Sequence, residues 1–520
     1  MDRPHRPRRL ADLLVRWSEI RPGHTALKTP EVALTFAELL AQTHSAQDEL
    51  RALGVVAGDV VAFQLPNWVD AFVLYHALLG MEAIALPLMP ALRDRELAYM
   101  LEEVRARLFV TLPVWRGFDH AAMARRVCGP STRTVLMREP NDGGALLRVP
   151  DASEDILLED TAPRPTLPTG VCSVIFTSGT SGRPKAVLYT HDGLGIEGRE
   201  MAAADAICGD DVLFVPPAVG HVSGLSFGIH MAMHAGATVC LLPDWTPETA
   251  VALIERERCT WTAGATPFLQ GVVAAATERP EALASLRVFR CGGASVPPGL
   301  VRQARALGID AYRSYGLSEH PTVSGRAGQP DEVCVQADGT VHPLIEVRIA
   351  DPDHPADPAR DRAPGEVGEI LTRGPDLSPG YLRADDTAAS RVDGWLLTGD
   401  LGTFSADRVL RITGRRKDMI IRKGENISAR EIEDLLLAHP ALADVAVVGV
   451  PDAERGEMVC CVAVRRAGRS VTLAELCSHL RGEGLATFKL PERLVIWPEL
   501  PCNAGGKVLK RLIREMLAGT

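Results

Sequence analysis

The chain has 520 residues, 46% of them hydrophobic, and a formal net charge of -10. That length exceeds what one hydrophobic core supports, so two or more domains are expected, and the acidic balance argues against general affinity for nucleic acid. The eleven cysteines are scattered, odd in number and without a CxxC pair, Cys460 and Cys461 being adjacent, which points to reduced thiols and away from a disulfide framework or a zinc site.

The first residues, MDRPHRPRRLADLLVRW, are basic, but no long apolar stretch or small-residue cleavage site follows, and no later run could span a bilayer. A soluble cytoplasmic protein is expected. Residues 10 to 20 set Leu10, Leu13, Leu14, Trp17 and Ile20 at helical spacing, a core-facing stripe that needs no function. From there to about residue 345, short apolar runs (VVAFQLP, ARLFVTL, DVLFVPP, ATVCLLP, LRVFRCGG) alternate with helical patterns such as VDAFVLYHALLGM and PETAVALIERERC. This alternation predicts α/β layering around largely parallel sheets. Residues 139 to 170 read as a long connection, and 351 to 366, DPDHPADPARDRAPGE, as a surface excursion.

After ITGRRKD, 412 to 418, the pattern turns compact: strand MIIR, helix SAREIEDLLLAHP, strands DVAVVGVP and MVCCVAVRR, helix TLAELCSHLR, strand RLVIWP and a basic final helix. Ser428 with Glu431 and Thr472 with Glu475 fit the S/T-x-x-E capping box. About a hundred residues of this kind make a small α+β domain, with the boundary near 414 to 418.

The most distinctive stretch is TSGTSGRPK, Thr177 to Lys185, which follows the β-branched run VCSVIFT. A strand feeding a loop of hydroxyls and glycines, with a lysine to add a point charge, is suited to a polyphosphate. The spacing is not Walker A, because Arg183 and Pro184 intervene before Lys185 and no Ser or Thr follows it. Four further stretches bring polar groups to strand ends: CGGASVPP with Gly292 and Gly293, YGLSE from Tyr315 to Glu319, TGD from Thr398 to Asp400, and GGK from Gly505 to Lys507. Singly, each reads as a turn, a buried tyrosine or a helix start.

In this order, TSGTSGRPK, GGA, YGLSE, TGD, GRRKD and GGK resemble the signature series of the adenylate-forming superfamily, which includes acyl-CoA and aryl-CoA synthetases, peptide-synthetase adenylation domains and beetle luciferases. The resemblance runs over nearly the whole chain. It implies an α/β fold with a large N-terminal domain of layered α/β sheets plus a β-rich subdomain (1–414), and a small mobile α+β C-terminal domain (415–520). It also implies a ligase that uses ATP and Mg²⁺ to join a carboxylic acid to AMP, releasing pyrophosphate, and then to CoA or a carrier-protein phosphopantetheine.

By the same resemblance, Thr177, Ser178, Gly179, Thr180, Ser181, Gly182 and Lys185 cradle the departing phosphates, Glu319 helps hold Mg²⁺ and Ser318 bonds the α-phosphate. Gly292, Gly293, Ala294 and Tyr315, with Gly316 beside it, frame the adenine, and Asp400 and Arg415 take the ribose hydroxyls. Lys507 is the implied catalytic lysine, Lys417 the hinge, and Gly424 the glycine lining the thiol's approach. His221, in PPAVGHVSGL, matches a position that lies over the acyl carboxylate in relatives. The pattern departs at Ala186, at Ser318 and in NAGGK, all small changes that keep the needed atoms. No acidic anchor for an α-amino group is evident, which disfavours an amino acid, while QLPNW and RGFDH are similar to stretches in aryl-acid and alicyclic-acid activating members. Alternatives within the family are an enzyme that stops at the adenylate or one that activates nitrite to diazotise an arylamine. Outside catalysis, a nucleotide-binding protein that has lost its activity is the third reading.

Overall fold

The computed structural model describes residues 9–138, 145–149, 167–177, 183–423, 425–452, 455–502 and 507–518. Two large sheets carry the first part of the chain. One has eight strands, with Asp310–Leu317, Val288–Gly292, Trp261–Gly264, Val212–Phe214, Thr238–Cys240 and Thr25–Lys28 parallel in that order, and antiparallel strands His320–Ser324 and Ala33–Thr35 at its edges. The other has seven, in the order Lys185–Thr190, Val171–Thr177, Ile84–Leu88, Val60–Gln64, Leu108–Thr111, Arg133–Met137 and Leu147–Arg148, parallel except at its two edges.

The apolar runs are continuous because both faces of these strands are covered, as parallel sheets require. Along Val60–Gln64, Val61 and Phe63 join one core and Val60 and Ala62 another, following the two-residue alternation of a strand. Helix Val69–Gly80 is buried over all but its last residue, so it belongs inside the larger core, which also takes in strands of both sheets.

A third sheet is antiparallel throughout and comprises Glu346–Ala350, Gly368–Arg373, Trp395–Phe404, Arg391–Val392 and Leu410–Arg415. This is the expected β-rich part. The fourth sheet, Glu425–Ser428, Met419–Arg422, Gly456–Arg465, Leu442–Asp452 and Arg493–Ile496, packs helices Ala429–Leu436 and Leu473–Gly482 over its own apolar core. Fold class and layering are therefore as the sequence leads one to expect.

Local departures have local causes. Ile20 is 56% exposed and stands outside the stripe of its helix, which buries Leu10, Leu13 and Leu14. Between strand MIIR and helix SAREIEDLLLAHP the chain adds a further strand, Glu425–Ser428, paired with Met419–Arg422. Thr472 and Glu475 form the complete capping box, but Ser428 makes only its half, since the Glu431 carboxylate is held by Lys489 Nζ at 2.7 Å. Within the long connection, Leu147–Arg148 extends the second sheet. All eleven cysteines are free thiols, and among the described residues no helix is long and apolar enough to cross a membrane.

Candidate active site

Parallel strands deliver their following loops to one edge of a sheet, the usual place for ligands in α/β folds. Gly292 ends its strand opposite Ser314, which brings Gly292, Gly293 and Ala294 beside Tyr315 on the neighbouring strand. One position further on, Gly316 has no room for a side chain: a Cβ there would stand 1.9 Å from the Pro321 carbonyl oxygen. The tight return of the chain at this point sets the Ser318 and Glu319 turn. Its backbone is fixed by Ser378 N–H donating to the Glu319 carbonyl at 2.9 Å and by the Tyr189 hydroxyl donating to the Ser318 carbonyl.

Asp400 and Arg415 are directly opposed across the pair of strands Trp395–Phe404 and Leu410–Arg415. Arg415 Nε lies 2.7 Å from Asp400 Oδ1, and the Tyr315 hydroxyl donates to Oδ2 at 2.7 Å, so both oxygens of this buried carboxylate are engaged. Burial and then the Asp400 charge push the Tyr315 phenol up, keeping it a hydrogen-bond donor. The sequence motifs YGLSE, TGD and GRRKD thus meet at one carboxylate.

Lys507 comes to the same place from the other end of the chain. Burial, followed by the charges of Arg415 and Lys417, pushes its ammonium down to about 8, while Asp400 and Asp418 work the other way. Lys507 also acts on His221, whose imidazole is lowered by desolvation first and by the lysine's charge second. The His221 side chain is exposed to water. It caps helix Val222–Leu225, with Nδ1 2.7 Å from the Ser223 hydroxyl. The loop bearing it is tied down by Asn67, whose amide donates to the Val215 and Pro217 carbonyls and accepts from Val219 N–H at 2.8 Å. QLPNW therefore has a structural task here.

Thr177 and Lys185 face each other as the last and first residues of paired strands, where the TSGTSGRPK loop leaves and returns. Lys185 Nζ lies 3.4 Å from Asp386 and 5.1 Å above the Tyr381 ring, and the Tyr381 hydroxyl donates to Glu319. Lys185 and Glu319 are thereby neighbours through Tyr381. Ser178, Gly179, Thr180, Ser181, Gly182, Gly424 and Gly505 lie outside the described residues. Lys417 sits in the short turn Arg416–Asp418 that follows Arg415.

Residues 14–382 match the family model of AMP-binding enzymes, and residues 431–507 match that of the AMP-binding enzyme C-terminal domain. The chain belongs to the AMP-binding enzyme family. This AMP-binding enzyme is 36% identical over 505 residues to a salicyl-AMP ligase / salicyl-S-ArCP synthetase of Mycobacterium tuberculosis, covering 96% of this chain and 86% of the relative. It is 32% identical over 477 residues to a medium-chain fatty-acid–CoA ligase of Escherichia coli, covering 89% and 82%. Its fold matches that of ATP-bound MatB from Rhodopseudomonas palustris with a TM-score of 0.84 at 28% identity, over 97% of this chain and 98% of the other.

Sequence reasoning overlooked Tyr381 and Asp386 in this AMP-binding enzyme. Both sit in SPGYLRADD, 378 to 386, where the Pro-Gly turn was the available signal. The segment is laid against strand Lys185–Thr190 by Leu188 N–H donating to the Gly380 carbonyl and Leu382 N–H to that of Ala186, both at 2.9 Å. That contact is long-range and invisible to local pattern.

Proposed function

We propose that this enzyme is an ATP-dependent carboxylic-acid ligase that forms an acyl- or aryl-adenylate, releases pyrophosphate, and passes the acyl group to the thiol of CoA or of a carrier-protein phosphopantetheine. The convergence of Tyr315, Asp400, Arg415 and Lys507 carries this reading. A carboxylate oxygen attacks the α-phosphorus and the bond to pyrophosphate breaks. Both reactants are anions, so catalysis is charge neutralisation and positioning. Asp400 and Arg415 take the ribose, Tyr315 and the Gly292 loop take the adenine, and Lys507 bridges the acid carboxylate and the α-phosphate. Lys185 and the residues of its loop meet the departing phosphates.

Mg²⁺ fits this donor set. Among the described residues no cluster of His, Cys, Asp and Glu forms a protein cage, and Glu319 offers a single carboxylate, as suits an ion that binds through one or two carboxylates and substrate phosphates. When bound, it would offset phosphate charge, with Tyr381 orienting Glu319.

The ammonium form of Lys507 is the active one. Since its pKa in the free protein is lowered to about 8, kcat/KM for ATP should be flat below that pH and fall as pH rises through it. kcat should fall at higher pH, because bound phosphates favour the ammonium. A kcat/KM profile flat to pH 10 would contradict this role.

Residues 1–414 form the adenylation core and 415–520 the mobile unit that brings Lys507 in. Contacts between the two would act as a latch. Arg430 Nη2 lies 3.2 Å from Asp338 Oδ1, which Arg313 also holds at 2.9 Å, and the Ser295 hydroxyl, next to the Gly292 loop, donates to Asp434. Arg430→Ala leaves Asp338 paired with Arg313. Losing one charge-assisted bond of about 1.5 kcal/mol should slow adenylation about tenfold by depopulating this pose, and leave thioester formation from a synthetic adenylate unchanged. Equal slowing of both would argue against a latch.

The product test is mass spectrometry of reactions holding Mg-ATP, a panel of aryl, alicyclic and fatty acids, and CoA or a phosphopantetheinylated carrier. Acyl thioester together with AMP is expected. Adenylate accumulating with both acceptors present would remove the second step.

A further inference from the structure

The helical segment after His221 threads a line of polar groups through an apolar stretch. Val222, Leu225, Ile229 and Met231 are buried, whereas Ser223, Ser226 and His230, at i, i+3 and i+7, share one face. Ser226–Met231 is wound as a π-helix, a local widening frequent at functional sites. Ser223 starts the line beside the exposed His221. Further in, the Ser226 hydroxyl donates to Glu197 Oε1, and the Tyr75 hydroxyl lies 3.2 Å from His230 Nε2. Gly198 permits the approach of helix His191–Ala204, since a Cβ there would stand 2.6 Å from the His230 carbonyl carbon.

This cluster is not satisfied from within. Glu197 is 1% exposed and His230 wholly buried, yet Glu197 Oε2 and His230 Nδ1, 3.5 Å apart, each lack a hydrogen bond among the described residues. Burial first, and then His230, push His76 and His234 down to about 4, so neither brings positive charge at neutral pH. Among the described residues no lysine or arginine pairs with Glu197. A buried carboxylate with an idle oxygen is costly, and an unmade bond of this kind calls for an explanation.

We propose that Glu197, with His230 beside it, is the far end of the acid-binding site and accepts a hydrogen bond from a hydroxyl or amino group on the acid, remote from its carboxylate. This rests on the acid-ligase reading above. Ser226 follows His221 by five residues, so at about 1.5 Å per residue the far end stands roughly 7–8 Å from the carboxylate end. That span suits an aromatic acid with a donor opposite its carboxylate. The incoming group enters past Ser223 and takes up the idle oxygen, and an acid without a donor leaves that oxygen unpaired.

The test compares kcat/KM for acid-dependent ATP–pyrophosphate exchange within matched pairs: benzoate against 4-hydroxy- and 4-aminobenzoate, and the corresponding cinnamates. Wild type should prefer the donor-bearing member of at least one pair by tenfold or more, with the hydroxy and amino arms telling which donor is read. Glu197→Met, similar in volume, should bring that ratio near one, whereas loss of a purely structural residue would lower both members equally. Glu197→Gln, which keeps shape and an acceptor, should retain part of the preference and guards against a misfolded Met variant. Ratios near one in wild type, or a preference untouched by Glu197→Met, overturn the subsite alone. Exchange with no acid of any class overturns the ligase reading and the subsite with it.

Discussion

Lys507→Ala is expected to slow adenylate formation by on the order of a hundred- to a thousand-fold, the usual cost of losing one preorganised donor to developing charge. The structure supports so large an effect because the charges of Asp400, Arg415 and Lys417 act on Lys507 and its own acts on His221, while its partial burial works against the hydration of its ammonium. On the proposed reading, that cost is carried in the resting state and recovered when two anions arrive. Stability should change little, since removing the lysine relieves repulsion from Arg415 and Lys417. Single-turnover pyrophosphate release with saturating ATP and acid, together with a thermal melt, checks both parts. A rate within tenfold of wild type would remove Lys507 from the chemistry.

Asp400→Asn should act on ATP binding more than on the chemical step. Its two oxygens serve Arg415 and Tyr315 at 2.7 Å each, and an amide keeps the shape while losing the charge. One charge-assisted hydrogen bond is worth about 1.5–3 kcal/mol, so KM for ATP should rise on the order of ten- to a hundred-fold with kcat less affected. The fold should survive, because the Arg415 side chain is 31% exposed and water can take over part of its hydrogen bonding. A raised kcat loss with unchanged KM would place Asp400 in the reaction rather than at the ribose.

Much of the site could be read from residues whose neighbours in sequence define their setting. Gly292 ends a strand and Gly293 follows it, Asp400 and Arg415 stand in paired strands, and each lies in a short motif with a physical reason for its spacing. The misses have a different origin. Tyr381 acquires meaning only through Glu319, and Glu197 only through Ser226 and His230, partners far away in the chain. The polar line along the helix after His221 was present in HVSGLSFGIH, but serine and histidine there are indistinguishable from ordinary core substitutions until the helix facing them is known. Ile20 failed for the opposite reason: periodicity placed it on a stripe that the helix does not bury at its last residue.

The most direct test of the central claim is acid-dependent ATP–pyrophosphate exchange without any thiol, run with Mg²⁺ across aryl, alicyclic and fatty acids. Exchange that requires one class of acid and is lost in Lys507→Ala is the expected result. Tight ATP binding with no exchange for any acid would contradict it and leave a nucleotide-binding protein without the chemistry.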